Sequence, residues 1–231
     1  MFIGKIVKSD SHINYVCQVY GPHEVEVEPE PGDYAFGRFV RVATRSAQID
    51  DPESTLDLAL GRRQEPVTYA VGVIYDTILL NPAFGSLGPR LSNETQVELF
   101  SPDYISEKAV LIYVMVLGMM EQQSLADGSS FFLSRTHGVP LLSLELGSEI
   151  ETMTDEEVRA FHYFSDPGET EQNAYLHMGY LPHIIAQRSS LLPMVTLHII
   201  DQLERLFPQH LALLSIVKRN FAWRLKVETT G

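Results

Sequence analysis

Cysteine, tryptophan and positive charge are all scarce in this chain. One cysteine in 231 residues excludes an internal disulfide and a cysteine-based zinc site, and the sequence reads Cys17 as a buried small hydrophobe. Seventeen basic residues face 30 acidic ones, a formal net charge of −13. Residues 1–150 hold ten of those basic and twenty of those acidic side chains. A field of that sign repels a phosphate backbone, so the N-terminal part is not a typical nucleic-acid module. The longest apolar run, Ala109 to Met120, is too short to span a bilayer as a helix. The opening Met1-Phe2-Ile3-Gly4 reaches Lys5 without the basic-then-apolar order of a secretory leader, and the expectation is a cytoplasmic protein.

The catalytic signatures are missing as well. No Gly-rich turn is followed by Lys and Ser/Thr, and Asn81–Arg90, rich in Gly and Pro, is not a phosphate loop. The eight histidines, His12, His23, His137, His162, His177, His183, His198 and His210, form no His-Glu-x-x-His or Cys/His cluster. Ser86 in Gly85-Ser86-Leu87-Gly88 misses the Gly-x-Ser-x-Gly elbow. Asp50-Asp51 and Asp155-Glu156-Glu157 have local explanations in loop solvation and the helix dipole. The expectation is a protein with no catalytic residue, cofactor or metal. An enzyme would need a site assembled between distant parts of the chain.

What is present begins with strands. Phe2–Val7 and Ile13–Tyr20 flank a hairpin-like turn, Lys8 to His12, and Gly21-Pro22 ends the second. Further strands are predicted over Asp33–Val42, Pro66–Asp76, Glu107–Gly118 and Gly138–Leu144, with a short helix over Pro52–Gly61. Glu24, Glu26, Glu28 and Glu30 alternate with Val25, Val27 and Pro29, so an extended backbone would put all four carboxylates on one face. Such a strip protects an open edge or docks a partner.

After Gly147 the pattern becomes helical. Thr154-Asp155-Glu156-Glu157 has the spacing of a capping box, with acids in the first turn where the dipole favours them. Asp166-Pro167-Gly168 breaks the chain, and Glu171–Gln187, Leu191–Leu206 and Pro208–Trp223 follow as helices. The last stretch mixes cations and aromatics: Lys218, Arg219, Phe221, Trp223, Arg224 and Lys226. That mixture suits single-stranded nucleic acid by stacking and charge. It equally suits a last helix anchored by its aromatics, with cations at the negative end of its dipole.

The strand motifs, in order, resemble the HAS barrel that precedes the motor core of HerA-type DNA translocases. The matching residues are Ile3-Gly4-Lys5-Ile6-Val7, then Asp33-Tyr34-Ala35-Phe36-Gly37 after the Pro31-Gly32 turn, then Val71-Gly72-Val73-Ile74. Lys108 to Tyr113, Val139-Pro140 through Gly147-Ser148-Glu149-Ile150, and Thr154 to Glu157 continue the match, which covers about two-thirds of the chain. No phosphate loop follows, so the family's ATP hydrolysis is not carried over, and residues 154–224 have no counterpart. The resemblance implies an α+β protein: a small antiparallel β-barrel over residues 1–150, then a helical domain over 151–231. Gly4, Gly37 and Gly72 would shape the barrel. The resemblance further implies an adaptor or self-assembling relative of a DNA-processing ATPase system, with a motor ATPase or nuclease as protein partner. Glu24, Glu26, Glu28 and Glu30 are then the docking candidates. The alternative is a single-strand-binding module using Lys218, Arg219, Trp223, Arg224 and Lys226.

Overall fold

The computed structural model describes residues 1–21, 24–44, 66–80, 109–124, 130–164, 175–187 and 189–228. The predicted helix over Pro52–Gly61, the Asn81–Arg90 loop, Asp50-Asp51, His23 and Asp166-Pro167-Gly168 lie outside them.

Seven strands form one antiparallel sheet: β1 (Phe2–Ser9), β2 (Asn14–Val19), β3 (Phe39–Thr44), β4 (Val67–Leu80), β5 (Ala109–Ser124), β6 (Ser130–His137) and β7 (Glu149–Thr152). Their order is β2-β1-β7-β3-β4-β5-β6, and β2 also pairs with β5. The helices are α1 (Asp155–His162), α2 (Leu181–Ile185), α3 (Leu192–Leu206) and α4 (Leu211–Glu228), with a 3-10 turn at Pro208–His210. A two-stranded ladder, β8 (Tyr163–Phe164) with β9 (Tyr175–Leu176), stands apart from the main sheet.

This corrects the expected fold class. Strand outweighs helix among the described residues, and the architecture is a seven-stranded sheet with a small helical region, not a small barrel followed by a helical domain. The physical reason is visible along β4 and β5, which run for 14 and 16 residues and are apolar on both faces. Ala70 and Ile74 of β4 turn into one core with Ile3, Ile6, Ile112, Val114 and Ile150. Val71 and Val73, one residue out of phase, turn into the other with Met115, Leu117 and the helical residues Val158, Phe161, Ile184, Val195, Ile199 and Leu203. Side chains alternate across a strand, so a sheet apolar on both faces needs a cover. Here the helices are that cover. At about 25 cal/mol per Å2 of apolar surface removed from water, burial in both cores stabilises the sheet.

Three other expectations change. The strand predicted over Asp33–Val42 begins only at Phe39. Before it the chain turns: the Glu30 N–H donates to the Asp33 carboxylate at 2.9 Å, and Gly37 holds a left-handed φ of 81°. Gly37 packs beneath α3, where its carbonyl accepts from Gln202 Nε2 at 2.6 Å. Of the helix predicted over Glu171–Gln187, the described part from Tyr175 is instead β9, a turn and the five-residue α2, because Tyr175 and Leu176 pair with Phe164 and Tyr163. Gly138–Leu144 is not a strand either, and β6, which the sequence left unmarked, lies just before it.

Gly4 is required by close approach. A Cβ there would sit 2.1 Å from the Gln18 carbonyl oxygen on the neighbouring strand, far inside van der Waals contact.

Candidate interaction surface

Two groups of residues stand out, one turned inward and one outward. The inward group is a histidine and aromatic cluster where β6, α1 and the segment after β9 converge. His137 and His177 stack with ring centroids 4.8 Å apart, and Phe161 lies 4.3 Å from His137. The His137 Nε2–H donates to the Phe161 carbonyl at 3.0 Å, and its Nδ1 accepts from the Gly179 N–H at 3.1 Å. His162 is fully buried. Its Nδ1–H donates to the Val158 carbonyl at 2.7 Å, and its Nε2 accepts from the Tyr180 hydroxyl, also at 2.7 Å. A carbonyl can only accept, so His137 Nε2 and His162 Nδ1 each carry a proton, and the Gly179 N–H keeps His137 Nδ1 unprotonated.

Burial lowers His137 to about 4 and His162 to about 3, against an ordinary 6.5. These rings are occupied by structural hydrogen bonds. Among the described residues no group of three or more His, Cys, Asp or Glu is placed to hold a metal ion. Cys17 is buried and its thiol is pushed up to about 12 by burial, which leaves no thiolate at neutral pH.

A charged cluster fastens the same helix. Arg41 of β3, 14% exposed, pairs with Glu151 of β7 at 3.2 Å and with Glu157 of α1, and lies over the Tyr69 ring at 4.4 Å. Glu157 works twice. One carboxylate oxygen accepts from the Thr154 N–H at 2.8 Å, closing the capping box, and the other meets Arg41. A cleft of about 420 Å3 lies between Ala43-Thr44 and Leu142–Glu145, and among the described residues Glu145 is the one ionisable group lining it. That is a sparse set for acid–base chemistry, which needs convergent groups.

The outward group is on α4. Leu214 is buried against the core, and Val217 packs on it. The opposite side carries Leu213 at 50% exposure, Ile216 at 54% and Trp223 at 65%, with Arg219 and Asn220 also exposed. Positions 213, 216, 220 and 223 step by three, four and three, so they form one stripe. The sequence marked this tail by its cations and aromatics, and the structure separates them. Lys218 turns inward to pair with Asp201 and, at 3.0 Å, with Glu204 of α3; those two carboxylates raise its pKa. Phe221 is half-buried, whereas Trp223 is not an anchor for the helix. Arg224 and Lys226 follow on the last turn of the same helix.

The acidic segment does not form the extended strip. Glu24 to Val27 is a turn and a bend, and no strand spans 24–30. Glu24 pairs with Lys5 at 3.4 Å and accepts from the Gly21 N–H at 2.7 Å. Glu26, Glu28 and Glu30 are exposed and make no ion pair among the described residues, and Val27 beside them is 67% exposed. The exposed stripe of Leu213 and Ile216 was missed from sequence, since the apolar and polar residues of α4 do not segregate to separate faces and its period points to no single one.

The fold and surface define a mainly β protein with a helical cover, in which Arg41, Glu157 and His137 tie helix to sheet and the last helix presents Leu213, Ile216 and Trp223 to solvent. The chain matches, over residues 1–230, the family described as "Domain of unknown function (DUF8166)", and it belongs to that family. No match was found among curated proteins. Among the described residues no helix is long and apolar enough to cross a membrane.

Proposed function

We propose that this protein acts by assembly with other proteins, through the outward face of α4, and carries no chemistry of its own. The observation that supports the reading is the stripe Leu213, Ile216 and Trp223, exposed on a cationic helix of an otherwise acidic protein. Large apolar side chains grouped on one exposed face mark interaction surfaces, and tryptophan with arginine is the pairing most often found at their energetic centres. The resemblance to HerA-type translocases supplies the class of partner, a motor ATPase or nuclease of a DNA-processing system, and with it a cytoplasmic setting. Affinity purification of the tagged chain from its native cells tests this. A motor ATPase or nuclease should be recovered with the unaltered chain and lost with the double variant Ile216→Glu, Trp223→Glu. Equal recovery with both overturns the assignment of the surface.

A second reading, single-stranded nucleic-acid binding, has one observation in its favour. Trp223 is 65% exposed with exposed Arg219 on the same face, the geometry of a stacking platform. The engagement of Lys218 by Asp201 and Glu204 counts against it. Trp223 is the one tryptophan of the chain, so its fluorescence reports directly. Quenching by oligothymidylate at low salt, relieved by added salt, supports this reading, and an unchanged spectrum removes it.

A further inference from the structure

The face of α4 is apolar and cationic, which constrains what can cover it. Among the described side chains the exposed charge on this face is Arg219, since Lys218 is taken by Asp201 and Glu204. Two such helices laid face to face would bring Arg219 toward its own copy with no acid on the stripe to meet it, and like-charge juxtaposition opposes association. The occupant therefore carries acids around an apolar contact. The same molecule displays such a segment. Glu26 and Glu28 flank Val27, all three exposed, with exposed Glu30 two residues on and no cation paired to these three glutamates among the described residues. Within one chain the α4 stripe and this segment are both open to solvent, so they do not cover each other.

Resting on the reading of α4 as an interaction face, we propose that this face receives the acidic segment Glu24–Glu30 of a second copy of the chain. Val27 packs on the stripe of Leu213, Ile216 and Trp223, while Glu26 and Glu28 face the cationic side of the helix at Arg219. The contact joins two different surfaces, so it is head-to-tail. Each molecule in it has one used and one unused surface at either end, and repetition closes into a ring or extends as a filament rather than stopping at a symmetric dimer. The apolar part supplies the drive for association, and the charges set which surface is accepted and make the contact sensitive to salt. The bent backbone of the segment suits this role, because it projects Val27 and its neighbouring carboxylates outward instead of burying alternate residues in a ladder.

The test uses the full purified chain alone, by light scattering and sedimentation velocity at micromolar concentration. The unaltered chain should form species larger than a monomer that dissociate as salt is raised. One variant, Ile216→Glu with Trp223→Glu, breaks the helix face. A second, Glu26→Lys with Glu28→Lys, reverses the segment. Each should be monomeric alone, with a thermal melt matching the parent. Mixed in equal amounts they should give a one-to-one pair and nothing larger, because each retains the half that the other lacks. A symmetric α4–α4 contact cannot be restored by that mixing. An unaltered chain that is monomeric at low salt overturns the inference, as does an assembly that survives the Glu26, Glu28 reversal. A monomer that still recovers an ATPase or nuclease through the α4 face overturns the self-contact alone and leaves the proposed function standing.

Discussion

Helices α1 and α4 cover the same side of the molecule in opposite ways. Helix α1 turns its large apolar side chains inward and leaves Asp155, Glu156 and Arg159 exposed. Val158, Phe161 and His162 are buried, both nitrogens of His162 are hydrogen-bonded, and Glu157 reaches back to its own cap and across to Arg41. Arg159 adds a bond from its Nε to the Leu206 carbonyl at the end of α3, at 3.3 Å. Helix α4 is held by Leu214, Val217 and the Lys218 pairs with α3, and leaves Leu213, Ile216 and Trp223 in water. The contrast separates two uses of costly groups. Buried polar and ionic groups at α1 fix one arrangement of helix on sheet. Exposed apolar groups at α4 add nothing to that arrangement and become useful only when covered.

The comparison breaks most directly when equivalent truncations are made in both helices. Phe161→Ala removes a fully buried ring from the helix–sheet core and should destabilise by about 3–5 kcal/mol. Trp223→Ala should leave stability within roughly 0.5 kcal/mol of the parent. Urea denaturation of the two variants measures both. A Trp223→Ala loss comparable to that of Phe161→Ala would show that Trp223 is a core residue and that α4 has no free face.

The next largest effect is expected at Arg41. Arg41→Met leaves Glu151 and Glu157 close together, each largely shielded from water, without their cation. Breaking one side of such a cluster costs about 3 kcal/mol. The denaturation midpoint should fall accordingly, and most of the loss should return when Glu151→Gln and Glu157→Gln are added, since the uncompensated charge is then gone. A midpoint unchanged in Arg41→Met would reduce the cluster to surface decoration.

What could be read in advance follows from how local each cause is. The start of α1 was legible because a capping box is written within four consecutive residues, Thr154 to Glu157, and it forms as spaced. The span of α3 was legible for a similar reason, since its apolar period lies within one segment and yields Leu192–Leu206. β6 was not, because Ser130–His137 becomes a strand only by pairing with β5. The sheet order, with β7 between β1 and β3, joins residues about 150 positions apart, and no local pattern encodes it. At the surface, the composition of the Lys218–Lys226 tail was visible. Which of its side chains face water was not, because Asp201 and Glu204 of α3 decide that by taking Lys218. The histidine cluster likewise gathers His137, His162 and His177 from three separate elements.

A pH titration sharpens the contrast by acting on the α1 side alone. His137 and His162 have folded values near 4 and 3 against an ordinary 6.5. The unfolded chain therefore binds more protons than the folded one between about pH 6.5 and 4, and stability falls as pH drops through that window. At pH 5 the loss relative to neutral pH is about 2 kcal/mol for each of the two rings, from 1.36 kcal/mol per unit. Protonation of His137 at Nδ1 faces the Gly179 N–H, which can only donate, so that ring cannot charge without breaking the bond, whereas at His162 the Tyr180 hydroxyl must turn from donor to acceptor. Urea midpoints at pH 7 and pH 5 measure the effect. His137→Gln should lower stability at pH 7 and halve the pH dependence. A midpoint flat between pH 7 and 5 would mean that these rings are not held neutral.

The smallest effect is expected at Lys218, the cation of α4 that points home. Its own side chain is 36% exposed and that of Asp201 48%, so of the three only Glu204 is largely shielded from water. Exposed pairs gain little, because the ions are well solvated when separate and two long side chains must be ordered to bring them together. Glu204 also keeps the hydroxyl of Ser215 at 3.0 Å when the lysine is gone, so no carboxylate is stranded as Glu151 and Glu157 are by the loss of Arg41. Lys218→Met should therefore cost under about 1 kcal/mol, and the difference should vanish in high salt as screening removes what attraction there is. The same measurement on Arg41→Met should show little salt dependence, since that cluster is shielded from solvent ions. If Lys218→Met were instead as damaging as Arg41→Met, and equally indifferent to salt, α4 would be fastened by buried charge in the manner of α1, and the division between a fixed helix and an offered one would fail.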